Sequence, residues 1–257
     1  MTTQTTEPFV PPSKALVPKQ PWIMRFGRRI QPRINAIVGR YSKIPTTPVL
    51  DAADFPWLTE IKTHWREIQA EARVALADLD AIPPLAEISP DHRRIAPAGR
   101  WRSLFLHGYG YKVDENCRKC PRTAELVAKV PGLNTALFSV LVPGTHIPPH
   151  TGVTRAIVVC HIGIMIPRDR EKCRMRVADQ YVTWTEGEAV VFDDTYNHEV
   201  WNDTDETRVV LLLQFRRPGR LIGRVMGNLF LFGVKHSRFV QEARRGVIAW
   251  SDTGKGV

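Results

Sequence analysis

The stretch EAVVFDDTYNHEVWNDTDETRVVLLLQFRR, residues 188–217, decides how this chain is read. Two apolar runs, 188–194 and 207–217, are rich in the β-branched and large apolar residues that favour strands. A polar, turn-forming segment separates them. His198 stands in that segment, beyond the end of the first run, and Arg208 opens the second. The pattern extends toward the N-terminus: WRSLFLHGYGY from Trp101, TALFSVLVPG at 135–144, AIVVCHIGIMIP at 156–167, CRMRVA at 173–178 and QYVTW at 180–184. Turns rich in Gly, Pro, Asp and Asn divide these runs, and PRTAELVAKV at 121–130 reads as a short helix. Many short strands at regular spacing predict a sandwich or barrel. Long-range antiparallel pairing among them predicts a jelly roll.

Upstream the period changes from two to that of a helix. In residues 55–80, Leu58, Ile61, Trp65, Ile68, Ala72 and Leu76 share one face, and Pro83 and Pro84 stop the run. Residues 1–50 hold eight of the twenty prolines, with Pro32 inside the one helical stretch, and read as an arm. After the strands, LIGRVMGNLFLFGV at 221–234 is apolar except for Arg224 and Asn228, which with Arg220 form a stripe at four-residue spacing. The expected organisation is a basic, Pro-rich arm over 1–50, a helical region packing on the core over 51–100, a β domain over 101–217 and a basic amphipathic tail over 218–257.

At 257 residues, 43% hydrophobic and 24% charged, the chain is long enough to bury a sizeable core. Its net charge of +10 is unevenly placed. Residues 1–50 carry eight Lys/Arg against one acid, and 216–257 nine against two, whereas 51–215 carry nineteen against twenty-three. The basicity therefore belongs to the arms. Basic arms suit nucleic acid or anionic lipid. The apolar character of both arms favours an anionic membrane surface over nucleic acid, since a basic amphipathic helix lies in the lipid interface. The competing reading is a helix that packs its apolar face on the body and leaves its arginines in water. Four cysteines, no apolar leader in MTTQTTEPFVPP and no run of transmembrane length predict a cytoplasmic protein, peripheral on the inner face of the membrane.

His150, in PPHTG at 148–152, and His198, in NHEVWND at 197–203, each border an apolar run. Imidazoles on neighbouring strands at the mouth of a barrel can hold a transition metal with a coordination position free. Arg208, at the edge of a very apolar strand, needs an anion. A dicarboxylate cosubstrate would supply one through a bidentate contact. An ion pair with Asp193, Asp194 or Glu199 would do so equally. The three residues together suggest an iron oxygenase with a keto-acid cosubstrate; a pair of structural histidines is the alternative. Cys117 and Cys120 form C-x-x-C without a second pair, which argues against a zinc site.

The motifs H-T-G-(x)8-H-I-G at 150–163, W-x-x-G-E-x-x-x-F-D-D at 184–194 and H-E-V-W-N at 198–202, with Arg208, resemble the aspartyl/asparaginyl β-hydroxylase family. The resemblance spans about 101–217. PTTPVLDAADFPWL at 45–58, WREIQAEA at 65–72 and CPRTAELVAKVPG at 120–132 are more loosely similar to the bacterial lipid A hydroxylase branch. The resemblance implies a double-stranded β-helix, a cupin-like jelly roll, that uses Fe(II), 2-oxoglutarate and O2. It implies iron ligation by His150 and His198, a contact of Arg208 with the distal carboxylate of 2-oxoglutarate, and support of that cosubstrate by Ser139 and His161. Where the peptide-hydroxylating branch has an arginine two residues before the equivalent of His161, this chain has Val159.

At the third-ligand position the lipid branch has Asp, whereas Gly152 matches the peptide-hydroxylating branch, which completes two histidines with water. Asp193 and Asp194 are then candidates for orienting such a water or the His198 ring, with Trp201 close by. On this view Gly152→Asp should tighten iron. The expected reaction is hydroxylation of an unactivated C–H on a membrane-lipid acyl chain. Asp or Asn of a peptide or small molecule is the alternative, and a non-catalytic binding module the remote one.

Overall fold

The computed structural model describes residues 22–96 and 99–252. The chain begins with α1 (Trp22–Arg40), then β1 (Val49–Leu50), α2 (Leu58–Thr63), α3 (Trp65–Ala75) and α4 (Leu85–Ile88). Next come β2 (Trp101–Gly108), β3 (Tyr111–Lys112), α5 (Asp114–Lys119), α6 (Pro121–Ala128), β4 (Leu133–Leu141) and β5 (Thr145–His150). The remaining strands are β6 (Ile157–Met165), β7 (Cys173–Val177), β8 (Gln180–Thr183), β9 (Ala189–Phe192), β10 (His198–Asn202) and β11 (Arg208–Arg216). Two helices, α7 (Leu221–Lys235) and α8 (Arg238–Asp252), close the described chain.

The strands form two antiparallel sheets, one of seven strands in the order β1-β9-β6-β11-β4-β2-β3 and one of four in the order β5-β10-β7-β8. They face each other as the expected double-stranded β-helix. β4, β6 and β11 read as nearly continuous apolar runs because both of their faces are covered. Val209, Leu211, Leu213 and Phe215 of β11 join Phe138 and Val140 of β4 and Cys160 and Ile162 of β6 against the helices. Leu137, Leu141, Val159 and Val210 point the other way, toward Met175, Val177 and Val200 of the small sheet. β7 and β10 alternate buried and half-buried instead, as strands with one solvated face do.

The helical region departs from the sequence expectation in detail. Leu58, Ile61, Ile68, Ala72 and Leu76 are buried together, but in two helices rather than one. His64, at φ −98° and ψ 15°, leaves helical geometry, and its ring contacts Glu67 at 2.7 Å. Trp65, predicted on the same face, is only half-buried.

Of the 1–50 stretch read as an arm, residues 1–21 lie outside the described residues, and Trp22 to Arg40 form a single α-helix that contains Pro32. Proline forfeits one backbone hydrogen bond; here packing against α7 and hydrogen bonds to the 153–155 loop accompany the continuous helix. No described helix is long and apolar enough to cross a membrane.

Candidate active site

His150 ends β5 and His198 begins β10, and the two are register partners across the small sheet. From sequence, both looked like residues flanking strands. β5 was not legible as a strand because THIPPH carries two prolines. It is an edge strand, where a missing N–H costs no ladder bond. The ring centroids lie 4.1 Å apart at 52°. Each Nδ1–H donates to a carbonyl two residues back, His150 to Pro148 and His198 to Tyr196, both at 2.9 Å. A carbonyl only accepts, so these bonds fix the tautomer and leave both Nε2 atoms as lone-pair donors. Burial lowers the pKa of both rings, that of His198 to about 4 with His150 adding to the shift, and both are neutral near pH 7. Among the described residues no third histidine, cysteine or acid joins them in a metal-holding cluster.

The large sheet supplies the other wall. Strand parity places Ser139, His161 and Arg208 on the face turned toward the small sheet, away from the helices. Contacts run continuously around the space between the sheets. The Phe192 ring lies 5.6 Å from His198 and 5.1 Å from His161, and His161 lies 5.9 Å from Trp184. The Arg208 guanidinium stacks 4.5 Å over Trp184, and its Nη1 reaches Ser139 O and Oγ at 3.4 and 3.5 Å. Trp101 Nε1 donates to Ser139 Oγ at 3.1 Å, and the Trp101 ring meets His92 edge-on at 5.7 Å.

Arg208 is 1% exposed and forms no salt bridge among the described residues. The acids that could have neutralised it are engaged elsewhere or left open. Asp193 pairs with Arg217 at 2.6 Å and Arg155 at 3.2 Å, Glu199 pairs with Arg176, and Asp194 leaves Oδ1 buried and unpartnered. Burial pulls the Arg208 pKa down to about 10, partly countered by the neighbouring Cys173 thiol. Arg208 Nε, Trp184 Nε1 and His161 Nδ1 are all buried without hydrogen-bond partners. A buried cation without an acid, beside two more open polar nitrogens, could hold an anion with several acceptor atoms.

Asp194 occupies the place that Gly152 leaves. The Gly152 N–H donates to Asp194 O at 2.6 Å, and a Cβ on residue 152 would fall within the Asp194 carboxyl group. A side chain at residue 152 therefore requires the Asp194 carboxyl to shift before it can reach the space beside the histidines. Burial, with Asp193 alongside, pushes the Asp194 carboxyl up to about 7.

The other sequence candidates lie elsewhere. Asp193 belongs to a buried ion pair and accepts from Thr195 N, which shapes the turn before His198. Trp201 is on the outer face of β10, stacked on His146 at 5.3 Å beside Arg174, and is not brought to the site. Had HEVWN been recognised as a strand, parity alone would have excluded it. Trp101, Trp184 and His92, to which the sequence reading assigned no role in the site, are drawn into these contacts. His92 bonds Ser89 Oγ at 2.6 Å, and burial, followed by the charges of His150 and Arg94, lowers its pKa to about 4. Cys117 and Cys120 are buried free thiols, and burial pushes Cys120 up to about 12.

Residues 62–218 match the family model described as aspartyl/asparaginyl beta-hydroxylase. An ornithine lipid ester-linked acyl 2-hydroxylase of Rhizobium tropici is 40% identical over 197 residues, covering 75% of this chain and 70% of that protein. The aspartyl/asparaginyl beta-hydroxylase of Homo sapiens is 31% identical over 163 residues, 62% of this chain and 21% of that protein. Among solved structures, a Pseudomonas putida prolyl-4-hydroxylase is similar at a TM-score of 0.39 and 17% identity, covering 63% of this chain and 100% of that one. The last likeness is too distant to argue from.

Proposed function

The chain belongs to the aspartyl/asparaginyl β-hydroxylase family, and on that premise we propose that it is an Fe(II)- and 2-oxoglutarate-dependent dioxygenase acting on a membrane-lipid acyl chain. The observation that carries the cosubstrate is Arg208, a buried cation with no acid of its own, on the wall facing the paired histidines. The donor set fits the metal: two neutral imidazoles with Nδ1 anchored present their Nε2 atoms to a borderline cation such as Fe(II).

His150 and His198 would hold the iron. Asp194, with an unpartnered Oδ1, would hold a proton or a water beside them, in place of the missing third side chain. Arg208 would fork onto the distal carboxylate of 2-oxoglutarate. Ser139, fixed by Trp101, together with Trp184 and His161, would close the remaining polar contacts and exclude water. When bound, iron, 2-oxoglutarate and O2 supply the oxidation that turns a C–H into C–OH, with release of succinate and carbon dioxide.

The acyl chain is favoured by the Rhizobium tropici relative, which is named for acyl 2-hydroxylation and matches more of this chain at higher identity than the human relative does. Hydroxylation of Asp or Asn in a peptide or small molecule is the second reading, favoured by Gly152. The deciding experiment measures succinate from 2-oxoglutarate with Fe(II), together with lipid mass spectrometry for one added oxygen. Wild type should give both products, and His150→Ala or His198→Ala neither. Activity surviving in His198→Ala would defeat the assignment, and oxygen appearing only in a peptide would select the second reading.

A further inference from the structure

Of the eight large apolar side chains most exposed among the described residues, five lie on α7: Leu221 (66%), Ile222 (51%), Val225 (54%), Leu229 (66%) and Phe232 (63%). Their spacing puts them along one side of the helix. The other side is fixed to the body through glycines. A Cβ on Gly223 would meet Tyr41 at 2.9 Å, and one on Gly227 would meet Ala156 at 2.9 Å. The helix therefore lies flat against α1 and turns its apolar side to solvent. The packed-tail reading does not account for these five residues, which face solvent.

The charge around this stripe has one sign. Arg220 and Arg224 on α7 and Arg29, Arg33 and Arg40 on α1 are exposed, and no Asp or Glu occurs in residues 22–50 or 216–241. An apolar stripe whose own helix and its neighbour α1 carry arginines and no acid matches an anionic bilayer, whose headgroups attract the arginines while the stripe enters the acyl boundary. The same helices reach the catalytic loop. Gln31 Nε2 donates to Val153 O at 2.5 Å, and Asn35 Oδ1 accepts from Arg155 N at 2.9 Å. The loop so held directly follows His150 and Gly152, and its Val153 is itself 56% exposed.

We propose that α1 and α7 form a docking platform on which the protein lies in the interface of an anionic lipid bilayer, with the stripe of α7 inserted and the 153–155 loop held at the membrane face. The docking stands on the surface itself; its purpose, presenting acyl chains to the site, rests on the lipid reading above.

The test is vesicle sedimentation of the full chain, with phosphatidylcholine alone and with phosphatidylglycerol added as the anionic lipid. Wild type should partition strongly to the anionic vesicles. Replacing Leu229 and Phe232 together by Glu should lower partitioning on the order of 100-fold. Arg220→Gln and Arg224→Gln should each lower it about fivefold, with unchanged circular dichroism in all variants because these side chains are exposed. Equal binding by the Leu229/Phe232 variant, or no binding by wild type, overturns the platform. So does a wild-type dimer that the variant converts to monomer without loss of vesicle binding, which would make the face a contact between copies. Wild type that docks but oxidises no lipid keeps the platform and sinks the lipid reading. A variant that oxidises detergent-dispersed lipid at the wild-type rate but vesicle lipid slowly supports both.

Discussion

The two ends of β11 carry two buried arginines with opposite fates. Arg217, just past the strand's last residue, donates to Asp193 Oδ2 and to the carbonyls of Arg155 and Pro45, so its charge is neutralised and its donors are used. Arg208, at the first residue, is equally buried but meets only a serine, a thiol and an indole face. Two neighbouring acids divide in the same way: Asp193 is saturated by two arginines and Thr195, whereas Asp194 leaves one oxygen open over Gly152. The closed end is structure. The open end is where the proposed cosubstrate would bind, because an unsatisfied buried charge is costly unless something else completes it.

The largest effect that would test this contrast is at the closed end. Arg217→Met should destabilise the protein by about 3–5 kcal/mol in chemical denaturation, because Asp193 loses its closest cation. A loss below about 1 kcal/mol would mean the pair does not hold the turn that leads to His198. At the open end, Arg208→Met should leave unliganded stability nearly unchanged or raised. It should abolish stabilisation by 2-oxoglutarate in the metal-loaded protein, which in wild type should reach about 2.7 kcal/mol at one hundred times Kd. Thermal shift with and without the keto acid reads this directly.

Gly152→Asp should cost about 2 kcal/mol through collision with Asp194, in the range of overpacking, and adding Asp194→Gly should recover most of that loss. Tighter iron binding by the single variant at undiminished stability would instead place Asp194 as freely movable. Taken per pH unit, the smallest effect is a pH slope. Asp194, raised to about 7, holds its proton when folded and releases it near 3.8 when unfolded. Its favourable contribution is present at acid pH and is lost as pH rises through about 7. The stability advantage of wild type over Asp194→Asn should therefore shrink by up to about 1.4 kcal/mol per pH unit between pH 4 and 7.

Much of this was legible without coordinates. The strands of the large sheet read directly from VVLLLQF, TALFSVL and AIVVCHIGI, since a strand covered on both faces must be apolar throughout. His150, His198, Arg208, Ser139 and His161 were singled out by motif, and parity places the last three on one face. The turn at His64 and the helix through Pro32 were not legible, because hydrophobic period does not register a single non-helical residue and a proline reads locally as a break. Trp101 and Trp184 were missed because a tryptophan in an apolar run looks the same whether it packs or lines a pocket, and His92 because neither period nor motif marks a lone histidine.

The sequence by itself determined the strands of the large sheet and the residue types that meet between the sheets, because those follow from local periodicity. Only the tertiary structure decided which charges find partners. Asp193, Asp194 and Glu199 all lie near Arg208 in sequence, yet Asp193 turns to Arg155 and Arg217, Glu199 turns to Arg176 across β7, and Asp194 settles over Gly152. Pairing of that kind depends on distances between segments remote along the chain. That is why the open cation at Arg208 emerges only when the sheets are closed.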